Sequence, residues 1–139
     1  MYELKMEGAF SSQLGEETVK SFENTTGIPK NTEGRAPDTS ATMKSTGKIR
    51  SAADGGLADG TVQVAQWANN MDDAKAYQKV TATANAAGQV LRRVTFPNAF
   101  VVGYSEEFDV TAGVGSYELT IRQKKDLLEN ILVEGGFTL

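Results

Sequence analysis

The side chains that most often carry catalysis leave few openings in this sequence, because its 139 residues include neither cysteine nor histidine. Zinc sites built on thiolate or imidazole, cysteine nucleophiles, disulfides and every Ser-His-Asp arrangement are therefore excluded. What remains is chemistry run by paired carboxylates, by a perturbed Lys or Tyr, or by a hard cation held on Asp and Glu oxygens. Three fragments come near a known motif. TGKI, residues 46–49, has the glycine and lysine of a phosphate-binding loop, but Thr42 stands where its first glycine belongs and Ile49 where the hydroxyl that binds magnesium belongs. GVGSYE, residues 113–118, opens like a dinucleotide fingerprint, yet Glu118 replaces the third glycine and a strand pattern follows instead of a helix. DGGLADG, residues 54–60, offers two aspartates, but Gly56 and Ala58 occupy alternate positions that a calcium loop fills with oxygen ligands. The adjacent acid pairs Glu16 with Glu17, Asp72 with Asp73 and Glu106 with Glu107 fail for a geometric reason. Neighbours on a strand point to opposite faces and do not converge on one substrate. No catalytic residue, metal ligand or cofactor site is expected.

Charge narrows the partners. The net charge is −4, and residues 1–98 balance with eleven basic and eleven acidic side chains, so the whole excess lies in 99–139, with three basic and seven acidic ones. That distribution gives no general attraction to nucleic acid or to anionic membranes. Lys44, Lys48, Arg50, Arg92 and Arg93 are not interleaved with aromatic residues as a base-stacking platform requires, so they read as polar faces. The start, MYELKMEGAF, lacks the apolar run of a signal peptide, and no segment reaches the roughly 20 apolar residues needed to span a bilayer. Synthesis and folding in the cytoplasm is the expectation.

The elements that must position any surface read mostly as strands. Tyr2, Leu4, Met6, Gly8 and Phe10 alternate with Glu3, Lys5 and Glu7, the period of a half-buried strand over 2–10. SSQLGEE reads as a polar turn before a weaker strand at 18–24, and TTGIPKNTEGRAPD, residues 25–38, as a loop. In 40–50, Ala41, Met43, Ser45, Gly47 and Ile49 make a small, mildly apolar face. Ser40, Thr42, Lys44, Thr46, Lys48 and Arg50 make a polar, basic one. An edge hairpin and a strand lining a polar channel both fit that alternation. Residues 51–60 break it with three glycines. Val64, Trp67, Ala68 and Met71 then recur at helical spacing, with Asp59 or Thr61 as caps, and predict one short helix within 61–77. The competing reading there is a strand through Val62 and Val64. Trp67, the single tryptophan, suits packing of that helix on a sheet. Strands follow at VTATANA, QVLRRVTF, AFVVGYSEEF (99–108) and SYELTIRQK (116–124), the last two joined as a hairpin by AGVG, with ILVEGGF adding a final one after a DLLEN bend. Six to eight strands around one helix make a mostly β fold, an antiparallel barrel or sandwich in a single domain spanning 1–139.

The segment FPNAFVVGYSEEFD, residues 96–109, followed after a turn by SYELTIRQKK, resembles the C-terminal half of tube proteins related to the hemolysin-coregulated protein of type VI secretion and of tail-tube subunits of extracellular contractile injection systems. Phe96, Asn98, Ala99, Val102, Tyr104, Glu107, Phe108 and Asp109 carry the resemblance, with Trp67 placed as in some relatives. It covers roughly Gly60 to Val133; the N-terminal half agrees in layout only, and the chain is short for the family. The resemblance implies a small β-barrel of tail-tube type with one flanking helix, six copies in a ring, and rings stacked into a hollow tube that delivers effectors. It implies sheath, spike and baseplate proteins as partners, a particle assembled in the cytoplasm and ejected or released, and no nucleic acid, cofactor or membrane insertion. The loop and strand at about 25–60 would pair across subunits and close an inner barrel. Met43, Lys44, Thr46, Lys48, Ile49 and Arg50 are then the expected lumen or interface residues. Two readings within reach are a tube adaptor at the baseplate end and a small β-barrel ligand carrier. The carrier needs large apolar residues around a cavity, whereas Ala82, Ala84 and Ala86 point to tight packing. An enzyme using carboxylates or a hard metal is a third.

Overall fold

Alternation of apolar and polar side chains extends over most of the chain, and in the computed structural model, which describes residues 1–27, 39–49, 60–70, 72 and 75–138, it is realised as nine strands. These are β1 (Tyr2–Glu7), β2 (Ser11–Leu14), β3 (Val19–Gly27), β4 (Ser40–Ile49), β5 (Gln78–Ala86), β6 (Gln89–Asp109), β7 (Val114–Gln123), β8 (Leu132–Glu134) and β9 (Phe137–Thr138). One α-helix, α1 (Thr61–Ala68), precedes β5, and 3-10 turns occupy Lys125–Asn130. Every strand pair is antiparallel, in the order β2-β1-β5-β6-β7-β4-β3, with β8 and β9 added to β6.

The fold is mostly β with one short helix in 61–77, as the sequence indicates, but the sheet is not closed into the expected barrel. Its hydrogen-bonded path ends at β2 on one side and β3 on the other. β1 and β3 approach within 8 Å between Cα atoms without forming a ladder. The rolled sheet encloses one core in which Leu4, Met6, Val80, Val94 and Phe96 meet Met43, Leu119 and Ile121, all at or below 1% exposure. Each side chain so buried contributes about 1.5–3 kcal/mol of transfer free energy.

Two boundaries differ from the sequence reading. SSQL is a strand, β2, because Leu14 is buried and its backbone completes a ladder with β1 at Leu4↔Leu14 through Glu7↔Ser11. Its polar composition reflects an edge position with one wet face, which composition alone does not separate from a turn. The segments that read as two strands at 89–96 and 99–108 are one 21-residue strand, β6, running through Pro97. Proline interrupts a central strand because it lacks a donor. Here β6 changes partner at that point: its ladder with β5 reaches Phe96 and resumes only at Ala99, where the ladder with β7 begins. The missing N–H therefore falls where no ladder needs it.

Gly60 is the N-cap residue, with no side-chain cap hydrogen bond, and Asp59, one of the two expected caps, lies outside the described residues. An isolated eight-residue helix is marginal. Tertiary burial of Thr61, Val64 and Trp67 holds it against the sheet. Trp67 meets Phe10 edge-on with ring centroids 6.2 Å apart, and its indole N–H donates to the Ala76 carbonyl at 2.9 Å. Asn69 ends the helix by donating from its amide side chain to the Ala65 carbonyl. Residues 28–38 of the expected loop, most of the turn at 51–60, Met71 and Asp73 lie outside the described residues.

Candidate assembly surface

β4 is the strand with two chemically distinct faces, and its burial follows the sequence alternation. Ala41, Met43, Ser45 and Gly47 are buried, Lys44 and Lys48 exposed, and Thr42 and Thr46 half-buried. Met43 is a core residue at 1% exposure, so it supports the surface from beneath and does not line it. Ile49 sits at the margin, packed against the core from one end. Arg50 lies outside the described residues.

The wet face continues across the neighbouring strands. β4 pairs with β3 (Glu23↔Lys44) and with β7 (Thr46↔Glu118), and β7 pairs in turn with the second half of β6 (Ser105↔Glu118, Glu107↔Ser116). Lys44 Nζ lies 3.1 Å from Glu118 Oε1, Arg122 Nε donates to Thr42 Oγ1 at 3.2 Å, and the Ser21 and Thr46 hydroxyls share a hydrogen bond. Both partners of the ion pair are about half exposed, and such pairs contribute about 0–1 kcal/mol. The face is thus hydroxyl-rich with its charges largely neutralised.

Below it, the packing is close. The Tyr117 and Ser45 hydroxyls are buried 3.0 Å apart, and Tyr104 stacks on Tyr117 with centroids 6.5 Å apart. Gly47 lies against β3 so closely that a Cβ there would sit 1.8 Å from the Thr18 carbonyl oxygen. That carbonyl accepts the Lys48 N–H at 2.8 Å, beside the register shift between Val19 and Ser21.

The four strands β6-β7-β4-β3 thus form a subsheet with two open edges. β3 pairs only with β4, and beyond Ala99 β6 pairs only with β7 among the described residues. From Val102 to Asp109 this arm is exposed except for half-buried Tyr104. Its alternation still holds: Glu107 falls on the wet face opposite Ser116, and Glu106 on the other face opposite Tyr117, where it accepts the Tyr104 hydroxyl at 2.6 Å. The two carboxylates do not converge, in keeping with the strand argument.

The residues 96–109 singled out by sequence divide at the partner change. Phe96 and Ala99 are fully buried, and the Asn98 backbone is held on both sides, its N–H by Gln123 Oε1 and its carbonyl by the Lys124 N–H, each at 2.9 Å. Val102, Glu107 and Phe108 are exposed, and Asp109 closes the strand by accepting the Ala112 N–H at 3.1 Å. Phe108, 61% exposed, lies over Gly115, where an added Cβ would come within 2.8 Å of its ring. Its ring separates two shallow apolar grooves. One runs past Ile49, Val62 and Ala65 of α1, and the other past Val110 and Val114 at the hairpin tip.

Two contributors carry little or no sequence signal. Gln123, 3% exposed, accepts from Asn98 and donates to the Leu127 carbonyl at 2.9 Å. Continuing the Tyr117-Leu119-Ile121 alternation by one step points to it. The Gly47–Thr18 approach has no such signal. Among the described residues, no group of three or more acidic side chains is arranged to hold a metal ion, and no helix is long and apolar enough to cross a membrane.

No protein-family model matches the chain, and no curated protein matches it. Solved structures do. Hcp1 from Flavobacterium johnsoniae superposes with a TM-score of 0.57 at 14% identity over 99% of this chain and 98% of that one. A chain of the sheath-tube complex of an extracellular contractile injection system, PVC, in its extended state gives 0.56 at 11% identity, over 97% and 88%. A chain of the baseplate of the anti-feeding prophage gives 0.57 at 11% identity, over 96% and 92%. At such identities the likeness concerns the fold, which is tail-tube-like, of the kind found in contractile injection systems.

Proposed function

We propose that this chain is a structural subunit of the inner tube of a contractile injection system. Copies of it form one-domain building blocks, six to a ring, and rings stack into a hollow tube through which effectors pass. The observation that carries this reading is the subsheet β6-β7-β4-β3, with a pairing-competent edge on each side and one hydroxyl-rich, charge-neutralised face. An open edge normally invites association and is blunted by short strands, lysines or prolines. Here the two edges are about ten and nine residues long. Joining the β6 edge of one copy to the β3 edge of the next uses two different edges, and such head-to-tail contacts close into rings when the rotation allows. The inner barrel expected from sequence is then a property of the ring, closed between subunits and not within one. The face carrying Lys44, Thr46, Lys48 and Glu118 lines the lumen, where neutralised polar groups let cargo slide without charge-driven sticking.

Sheath, spike and baseplate proteins are the partners of such a tube, which is assembled in the cytoplasm and leaves with the particle. The side chains on this surface serve packing and solvation, not catalysis. Native mass spectrometry and negative-stain microscopy of the purified protein test the reading. Hexamers or ring-shaped particles are expected, and long tubes versus single capped rings separate a main tube subunit from a baseplate-end adaptor. A protein that stays monomeric at high concentration sinks the assembly reading.

A further inference from the structure

The two halves of the 21-residue strand β6 are covered differently. Beyond Ala99 it pairs only with β7 among the described residues, whereas residues 89–95 have β5 on one edge and β8 and β9 on the other. That second cover is slight. β8 sets Leu132, Val133 and Glu134 opposite Thr95, Val94 and Arg93, and β9 sets Phe137 and Thr138 opposite Val90 and Gln89. Between them the Gly136 N–H donates to the Val90 carbonyl at 2.8 Å. No residue from 124 to 138 is buried, and Leu132 and Val133 are each 57% exposed. The strand they cover is the reverse, with Val90 and Val94 at 0% exposure and Thr95 at 6%. Phe137, the partner of Val90, lies under the Arg93 guanidinium, whose carbon is 5.1 Å from the ring centroid. Gly135 runs so near β6 that an added Cβ would sit 2.4 Å from the Leu91 carbonyl oxygen.

We infer that β8 and β9 act as a guard strand, which occupies the edge of β6 at 89–95, keeps other strands from adding there, and lifts off as a local unit without unfolding the rest. An apolar strand with a bare edge is a template for pairing with another chain, and QVLRRVT, residues 89–95, becomes one when the guard leaves. The guard's own outward edge is blunted, because its two pieces are three and two residues long and are divided by Gly135 and Gly136. Local opening follows from how little holds it: segments with few buried apolar contacts open at a lower free energy than the whole domain. Leu128 and Ile131, half-buried against the core, anchor the chain just before it, so the opening unit begins after Ile131. With the guard in place, the long edges left open among the described residues are β3 and the far half of β6. The device does not depend on the ring joint, since the edge at 89–95 is guarded whatever copies assemble into.

Hydrogen exchange on the full chain tests the opening. Amides at 132–138 should exchange about a hundredfold or more faster than those of β7, which is paired on both edges. Gly135→Ala, which sets a methyl group against the Leu91 carbonyl, and Phe137→Ser, which removes the ring beneath Arg93, should each speed the strap by a further tenfold or so and leave β7 unchanged. Strap amides as slow as β7, or β7 accelerated as much as the strap, overturn independent opening. Negative-stain microscopy and native mass spectrometry test the guarding. Both variants should form irregular, concentration-dependent species that wild type lacks under the same conditions, a difference that holds for any wild-type assembly. Adding Leu91→Lys, at a residue 55% exposed on the guarded stretch, puts a charge on the bared edge and should remove those species while the strap still exchanges fast. Variants that open the strap yet assemble as wild type does overturn the guard role. Irregular species that persist with Leu91→Lys overturn the edge at 89–95 as the place where copies meet.

Discussion

Replacing Gly47 by alanine adds one methyl group at the tightest backbone approach in the subsheet. The new Cβ would sit 1.8 Å from the Thr18 carbonyl oxygen and 2.7 Å from the Tyr117 ring. A backbone atom cannot swing aside as a side chain can, so β3 must move away from β4 at Val19. Overpacking of this kind costs about 1–3 kcal/mol. Separation also strains the Lys48 N–H to Thr18 carbonyl bond, 2.8 Å long, whose loss adds about 1 kcal/mol. The sum, about 2–4 kcal/mol, corresponds to a drop in melting temperature of roughly 6–12 °C for a chain of this length. Gly103→Ala is the matched control. It lies in the same subsheet, a Cβ added there would have no neighbour within 4 Å, and its φ is not positive; the substitution should change stability by less than about 1 kcal/mol. Urea unfolding followed by the fluorescence of Trp67, which is 3% exposed when folded, reads both. The assay also links packing to assembly, since displaced β3 is an edge of the proposed ring joint and Gly47→Ala should weaken rings even at temperatures where the fold persists. Equal stability of Gly47→Ala and wild type, or equal loss in the two alanine variants, refutes the close-approach argument.

Two further outcomes follow from the same geometry. Gln123→Leu keeps the volume but strands the Asn98 N–H and the Leu127 carbonyl, both now satisfied by the amide; chemical denaturation should show a loss of about 1–3 kcal/mol. On β1, the hydrogen bond and charge of Glu7 raise the pKa of Lys5, and those of Lys5 lower the pKa of Glu7. The Glu7 contribution is fully present above the ordinary carboxylate range and lost as pH falls through its depressed value; the Lys5 contribution is present below the ordinary lysine range and lost as pH rises through its raised value. Melting temperature against pH, compared with Glu7→Gln, should show a small gap at neutral pH that narrows at both extremes, and a gap constant with pH contradicts the pairing.

The alternation in 40–49 and in 116–123 transmits directly to the structure, because each residue of a strand surrounded by partners has one buried and one wet face. The helix at 61–68 is legible for the corresponding reason: Val64 and Trp67 fall on one side at its period, and both are buried. β2 is not legible. Its strand character comes from the ladder to β1 and from Leu14 alone, and a polar edge strand has the composition of a turn. β6 reads as two strands because Pro97 is a local stop signal, and only a change of partner at that residue makes it harmless. The acid-rich segment 99–109 stands out in the charge balance, yet sequence does not tell that its far end is bare on both faces.

The sequence by itself determined the absence of thiol and imidazole chemistry, the mostly β character and the two-faced strand at 40–49, since these depend on residue types and on a local period of two. Tertiary structure alone decided that the sheet stays open, and that Met43 belongs to the core and Lys44 to the wet face of a four-stranded subsheet. Those properties depend on which strands pair and in what register. Register is set by contacts between residues far apart in the chain, such as Lys44 with Glu118 and Gly47 with Thr18, and no local pattern encodes them.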